Sequence, residues 1–524
     1  IHRSVADCLC EIDVHKKDFF SKDFLPSRSL LKALRQCNKV MKDPRSSVRQ
    51  IEDAKAELEK VRFGLQSLDL TKMSKRFLTM VQSEGTAYAA LFQLSQWMQL
   101  KLKPQKDELQ EQVHVAADDA AALRERLRLS TQEMENMALS QELLWREVLT
   151  VADHHSDALE DHDAWKCLAN VTHFGEPFEL IDGDNLQFAE RVLEKVFHAC
   201  KDRVLVLSVL GPQSSGKSTL LNYLFGCRFS TSTGRCTKGI YAAIMNIEHP
   251  AYDKLMILDT EGLQSSEKDD QEFDRKITLF CLAVSHIVII NVKGDLHLPM
   301  KRLLEICLVS LHELKKAKIG TPDVFICFNQ NPKPDKAPFL KQLHDVTDEI
   351  LLANPDAEDA ATLLRLPPER IQVLSFAFNP QTIEKDVEKG QQEDWVFNLP
   401  VRQFAVEVAH FGEEIAKSMN DRAASMGNSL LPCQYGQISP WGVMAHDNWE
   451  TIEDFPDLIA FADVKAMKQD RQLRQFQKNF IQRNLQEKQQ EHEQLVQNHV
   501  NEVDPFKVAN GIYLQSCAQK ARDE

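Results

Sequence analysis

Hydrophobic positions recur at helical spacing through the first 160 residues of the chain. Ile51, Ala54, Leu58, Val61 and Leu65 lie three and four residues apart, which puts them on one face of a helix. Leu109, Val113, Ala116, Ala120, Leu123 and Leu127 repeat the pattern, as do Met134, Met137, Leu144, Val148 and Val151. Breaks fall near Asp43-Pro44, Gly85 and Lys103-Pro104. An amphipathic helix must cover its apolar stripe, so residues 1–160 read as an N-terminal helical region packed as a bundle.

The pattern changes after residue 165, where short β-rich runs alternate with helical stretches. The runs Val204–Leu210, Tyr241–Glu248, Leu255–Leu258, Ile287–Asn291, Val324–Phe328 and Ile371–Leu374 predict strands. Most are apolar throughout, which suits a sheet covered on both faces. Alternation of strand and helix predicts a doubly wound, mostly parallel α/β domain over residues 165–420. Residues 440–524 return to helix, with a stripe at Leu473, Phe476, Phe480, Ile481 and Leu485. The Gln-, Glu-, Lys- and Arg-rich stretch to Val500 reads equally as a long helix on the N-terminal bundle or as a solvated helix with a narrow seam.

Composition narrows the function classes. A chain of 524 residues has room for about three domains. Its 63 basic and 78 acidic residues give a net charge of −15, which argues against binding a nucleic-acid backbone. The 12 cysteines include no CxxC pair and no disulfide framework, so reduced thiols in the cytosol or nucleus are expected. The longest apolar run, Ile277 to Val292, is broken by Ser285 and His286 and falls short of the roughly 18 residues that suggest a membrane span. No secretory leader opens the chain, and its first residue is Ile1, so it reads as a segment of a longer protein.

The densest chemical signal is Gly211-Pro-Gln-Ser-Ser-Gly-Lys217-Ser218, a full match to G-x-x-x-x-G-K-[ST]. The strand Val204–Leu210 runs into it and a helix beginning near Thr219 runs out of it. The glycines let several main-chain N–H groups curl toward one anion, and the helix N-terminus adds partial positive charge. Gly211, Ser215, Gly216, Lys217, Ser218 and Thr219 are therefore predicted to line a phosphate chain, with Lys217 on the β- and γ-phosphates and Ser218 on Mg²⁺.

Two further elements favour a GTPase among P-loop proteins. Asp259-Thr-Glu-Gly262 follows a strand, so Asp259 is placed to hold Mg²⁺ through water and the Gly262 N–H to sense a γ-phosphate. Thr237 stands 20 residues after Lys217 and 22 before Asp259, in a loop whose hydroxyl would join the Mg²⁺ shell only when that phosphate is present.

These residues resemble the dynamin-like branch of large GTPases. Thr237-Lys-Gly-Ile240 and Asp259-Thr-Glu-Gly-Leu263 resemble the two switch motifs of guanylate-binding proteins, while the phosphate loop resembles that of dynamin. With Glu179-Leu-Ile-Asp-Gly-Asp upstream, the pattern is most similar to the very large interferon-inducible GTPases and their shorter proliferation-regulator relatives. The resemblance covers roughly 165–440 and implies a Mg²⁺-dependent hydrolysis of GTP to GDP and phosphate, with pairing of G domains across the nucleotide and protein partners on the helical regions. Guanylate-binding proteins carry an arginine finger where this chain has Ser214. The dynamin-type loop implies instead that Gln213 and Ser214 place water and stabilise charge beside Thr237. Leu263 occupies the place of a water-orienting glutamine in small GTPases and cannot polarise water; Arg235 is a further charge stabiliser to consider. The usual Asn-Lys-x-Asp is absent. Asn329-Gln-Asn331 follows the strand Val324–Phe328, and the resemblance makes Asn331 the amide that replaces the base-binding carboxylate, with weaker discrimination of guanine. A scaffold that binds nucleotide and barely turns it over, and an ATPase of another P-loop class, stay open on these residues.

The remaining clusters read as ordinary. His154, His155 and His162 among Asp153, Asp157, Asp161 and Asp163 fit a charged helix end or linker better than a metal site. Asp269 and Asp270 solvate the second switch, and Lys315, Lys316 and Lys318 solvate a helix end.

Overall fold

The computed structural model describes residues 26–42, 46–82, 141–154, 164–173, 175–183, 186–198, 202–229, 239–260, 262–263, 271–294, 298–316, 321–331, 335–353, 366–377, 401–425, 438–454, 515–516 and 519–520. The chain divides into two compact units, Ile1–Ile459 and Ala460–Glu524. The sheet and the helices packed around it all belong to the first.

Helices α1 (Pro26–Lys42) and α2 (Val48–Gln66) form a hairpin around Leu31, Leu34, Cys37, Leu58, Val61 and Leu65. The stripe read from the sequence is the buried face of α2, where Ala54, Leu58, Val61 and Leu65 are covered. Ser47 starts the helix with a capping box: its hydroxyl accepts from the Gln50 N–H and the Gln50 side chain accepts from the Ser47 N–H. Helices α3 (Lys72–Gln82), α4 (Gln141–His154) and α5 (Ala164–His173) come next in the chain. Trp145 of α4 meets Phe77 of α3 edge to face at 5.1 Å. Leu144, Val148 and Val151 are buried in α4, as their spacing predicts; the stripe at 109–127 and the residues Met134 and Met137 lie outside the described residues.

Seven strands make one sheet in the order β1-β3-β4-β2-β5-β6-β7. They are β1 (Phe178–Asp182), β2 (Val204–Leu210), β3 (Gly239–Asn246), β4 (Lys254–Thr260), β5 (Ile287–Lys293), β6 (Asp323–Asn329) and β7 (Ile371–Val373). Strands β4, β2, β5, β6 and β7 pair in parallel, while β1 and β3 are antiparallel to their neighbours. Between them run α6 (Glu190–His198), α7 (Lys217–Phe225), α8 (Gln271–Val284), α9 (Leu298–Lys316) and α10 (Lys336–Ala353), with α11 (Arg402–Ser425) and α12 (Ile438–Asp454) after the sheet. On one face Leu205, Leu207 and Val209 of β2 pack with Leu220 and Leu221 of α7 and with Phe404, Val408, Phe411 and Ile415 of α11. Helix α8 packs on β2, and α12 on α8 and α6. The predicted α/β P-loop fold is therefore present, with all six predicted strands in it.

Three features go beyond the pattern. Strand β1 is not among the predicted strands, because Phe178-Glu-Leu-Ile-Asp182 holds two carboxylates in five residues. Arg146 of α4 supplies what makes it a buried edge: its Nε donates to Glu179 at 2.6 Å and its Nη1 reaches Asp182 at 3.2 Å, all three side chains being under a tenth exposed. The expected domain boundary at 440 falls inside α12, which is anchored within the first unit by Trp441 donating to the Val284 carbonyl and Trp449 donating to the Leu186 carbonyl. Asp153, expected to be solvated, is half-buried and caps α6 by accepting from the Arg191 and Val192 N–H groups at 2.7 and 3.3 Å. Burial raises its carboxyl above the usual range. His154 bonds locally to the Thr150 carbonyl, and the other members of that His/Asp run lie outside the described residues. Among the described residues no helix is long and apolar enough to cross a membrane.

Candidate functional site: a phosphate loop between two parallel strands

Strand β2 has β4 on one side and β5 on the other. Chain connections diverge at that point, so a crevice opens at the C-terminal ends of the parallel strands. Residues 211–216 fill its mouth and lead into α7, whose first residue is Lys217.

Each predicted loop residue has a defined station. Gly211 lies so close to β5 that a Cβ there would stand 2.2 Å from the Asn291 carbonyl oxygen. Gln213 and Ser214 form the turn, with Ser214 exposed in the left-handed region at φ 56°. Ser215 is fully buried, and its hydroxyl donates to the Pro212 carbonyl at 2.8 Å. Gly216, at φ 81°, caps α7. Lys217 is 6% exposed; its ammonium donates to the Gly211 and Pro212 carbonyls at 3.2 and 3.1 Å and so lies across the loop it is predicted to serve. Thr219 is half-buried in the first turn of α7.

Across the crevice, Asp259, one residue before the end of β4, is wholly buried, and its Oδ2 accepts from the Ser218 hydroxyl at 2.6 Å. A hydroxyl and a carboxylate meeting at a helix N-terminus form an oxygen-only donor set, which fits a hard cation such as Mg²⁺. The Asp-x-x-Gly turn lies on the loop: a Cβ at Gly262 would stand 2.3 Å from Gln213 Cα, and the Leu263 N–H donates to the Gly211 carbonyl at 3.0 Å. Leu263 itself is buried. Thr237, Arg235, Asp269 and Asp270 lie outside the described residues.

The base side carries two amides with different partners. Asn331 is buried, and its Nδ2 donates to the Gly294 and Phe328 carbonyls at 3.3 Å, so its amide nitrogen is spent on main chain. Asn329, two residues earlier, reaches the phosphate loop instead, donating to the Ser215 carbonyl at 3.2 Å. Asn291 of β5 does the same at 2.8 Å. Sequence reasoning missed both. The available signal was a polar amide at the end of an otherwise apolar parallel strand, where a solvated side chain cannot be accommodated.

The six described cysteines, Cys37, Cys167, Cys227, Cys281, Cys307 and Cys327, are buried free thiols. Burial pushes Cys227 and Cys307 up to about 12, so neither offers a thiolate near neutrality.

The family model for the URGCP-like GTPase domain matches residues 34–348. The match begins within α1, so the recognised domain includes helices that precede the sheet. Interferon-induced very large GTPase 1 of Mus musculus is 28% identical over 293 residues, 52% of this chain and 12% of that protein. Its Homo sapiens namesake is 35% identical over 170 residues, 30% of this chain and 7% of that protein. A Protein SEY1 homolog of Dictyostelium discoideum is 46% identical over 94 residues, 17% of this chain and 10% of that protein. The chain spans about a tenth of the length of these relatives.

Proposed function

The chain belongs to the family that carries the URGCP-like GTPase domain, and from that premise we propose that it binds GTP with Mg²⁺ and hydrolyses it to GDP and phosphate. One observation carries the reading: the Lys217 ammonium, the Ser218 hydroxyl and the Asp259 carboxylate converge where the loop enters α7. The α7 N-terminus and loop N–H groups would hold the phosphate oxygens, and Lys217 would exchange its neutral carbonyl partners for charged ones. Ser218 and Asp259 would hold Mg²⁺, which when bound neutralises charge building on the β- and γ-phosphate oxygens. Gln213 and Ser214, on the open side of the loop, would orient water and stabilise charge together with Thr237. Asn331 is not assigned a base contact; guanine preference rests on the family.

A second reading, a nucleotide-dependent scaffold with little turnover, is favoured by Leu263. Its main chain is tied to Gly211 and its buried side chain cannot orient water. Pairing of two G domains would supply the missing group, with protein partners on the helical regions, in the cytosol and the nucleus; buried free thiols support a reducing compartment. Multiple-turnover phosphate release measured across protein concentration separates the readings. A specific rate that rises with concentration supports the pairing GTPase. A flat rate at background supports the scaffold.

A further inference from the structure

Asn291 is fully buried in a strand whose neighbours, Ile287 to Ile290 and Val292, are all apolar. A buried amide costs stability unless its groups are bonded. Here they are. The Asn291 Nδ2 donates to the Ser215 carbonyl at 2.8 Å and to the Ser215 hydroxyl at 2.9 Å. Its Oδ1 accepts from the Asn329 Nδ2 at 3.3 Å, and Asn329 adds a second donor to the same Ser215 carbonyl. Asn329 is in turn fixed, since its Oδ1 accepts from the Gln330 N–H at 2.8 Å.

Peptide geometry gives these bonds a consequence. A trans peptide is planar, and its C=O and N–H point in opposite directions. Two buried amides pull the Ser215 carbonyl down into the sheet. The N–H of Gly216, on the other side of that peptide, must then point away from the sheet and into the crevice, beside the Lys217 ammonium. From this we infer that Asn291 is a positioning residue: it aims the Gly216 N–H at the phosphate chain and holds it there before ligand arrives. The energetic benefit lies in preorganisation, because a donor already fixed loses little freedom on binding. The Ser215 hydroxyl, tied to both Asn291 and the Pro212 carbonyl, locks the same turn from below.

This role for Asn291 rests on the reading of the loop as a nucleotide site. The test uses Asn291→Leu in the full chain, a change that keeps the branching at Cγ and removes both donors and the acceptor. The Ser215 carbonyl keeps its bond from the Asn329 Nδ2 and the Ser215 hydroxyl its bond to the Pro212 carbonyl, so neither group is stripped of every partner. Affinities for Mg²⁺-GTP and for Mg²⁺-tripolyphosphate are measured by calorimetry well below the unfolding transition. Both should weaken by about tenfold, together, because the lost donor faces phosphate and not base. Unchanged affinity at an unchanged melting temperature would mean that Asn291 only packs, and the inference would be lost. Loss for GTP with none for tripolyphosphate would place its effect on the base side and overturn it as well. If Asn291→Leu does not fold, Asn329→Leu removes the second donor to the same carbonyl and must weaken both ligands; no change there overturns the inference equally. Lys217→Ala serves as the separate control: wild-type GTP affinity in that variant removes the nucleotide-site reading itself, whatever Asn291 does.

Discussion

The parallel strands end in two chemically different rims. At their N-terminal ends, ion meets ion. Arg203 forks onto Asp253 with contacts of 2.9 and 3.0 Å. Asp323, at the start of β6, receives Arg422 at 3.1 Å, Arg370 at 3.0 Å and the Ser418 hydroxyl at 3.0 Å. Burial alone would raise the Asp323 carboxyl, but the two guanidiniums outweigh it and hold it below the usual carboxylate range. At the C-terminal ends the contacts are of another kind. The Lys217 ammonium donates to neutral carbonyls at 3.1 and 3.2 Å, and Ser218 donates to Asp259. A charge matched by opposite charge has nothing to gain from a ligand. An ammonium on neutral oxygens gains when phosphate replaces them. The first rim holds the fold and the second is built to exchange partners.

Substitutions should therefore separate stability from binding. Asp323→Ala leaves Arg422, 7% exposed as a residue, without its carboxylate. A loss of about 3 kcal/mol of stability is expected, the low end for a broken buried pair because Asp323 itself is partly open to solvent. Urea unfolding reads it, and nucleotide affinity of the folded protein should not move. A stable Asp323→Ala with weakened binding would invert the comparison. Lys217→Ala should do the reverse. Losing charge-assisted bonds of about 1.5–3 kcal/mol weakens GTP by roughly 10- to 150-fold, with the urea midpoint nearly unchanged. A large fall in that midpoint would mean that Lys217 is structural.

The two rims are unequally legible in sequence. The phosphate loop is contiguous: eight neighbouring residues carry its chemistry, and the flanking strand and helix are written in the hydrophobic pattern. Gly211, Lys217, Ser218 and Asp259 accordingly stand where the motif puts them. The supports do not share that property. Asn291 and Asn329 meet Ser215 from 76 and 114 residues away, and the Arg146–Glu179 pair closes over 33. Such contacts depend on strand order and register, which periodicity does not encode. Strand β1 escapes the pattern for the same reason, since Arg146, 33 residues before Glu179, helps to make its two carboxylates tolerable inside. Asn331 stands out by its place in a short motif, yet the turn after β6 gives the approach to the loop to Asn329 instead.

The rim that holds the fold should also set its sensitivity to acid. His286, just before β5, is wholly buried, and its Nδ1 accepts from the Val206 N–H at 2.9 Å. Burial, assisted by the nearby Arg422 guanidinium and only partly opposed by Asp323, lowers its pKa from 6.5 to about 3. A charged ring would lose that acceptor, so the folded state binds no proton where the unfolded chain does. This contribution to stability is therefore complete above pH 6.5, and it falls as pH drops toward 3. Within that window the loss approaches about 1.4 kcal/mol per pH unit. Between pH 7 and pH 5 the native chain should lose about 2 kcal/mol more than His286→Asn, which cannot titrate. Urea midpoints at the two pH values for both proteins give the difference. Parallel pH curves would mean that His286 can take up its proton inside the fold, and the contrast between a saturated rim and an exchangeable one would then hold for its ion pairs but not for this imidazole.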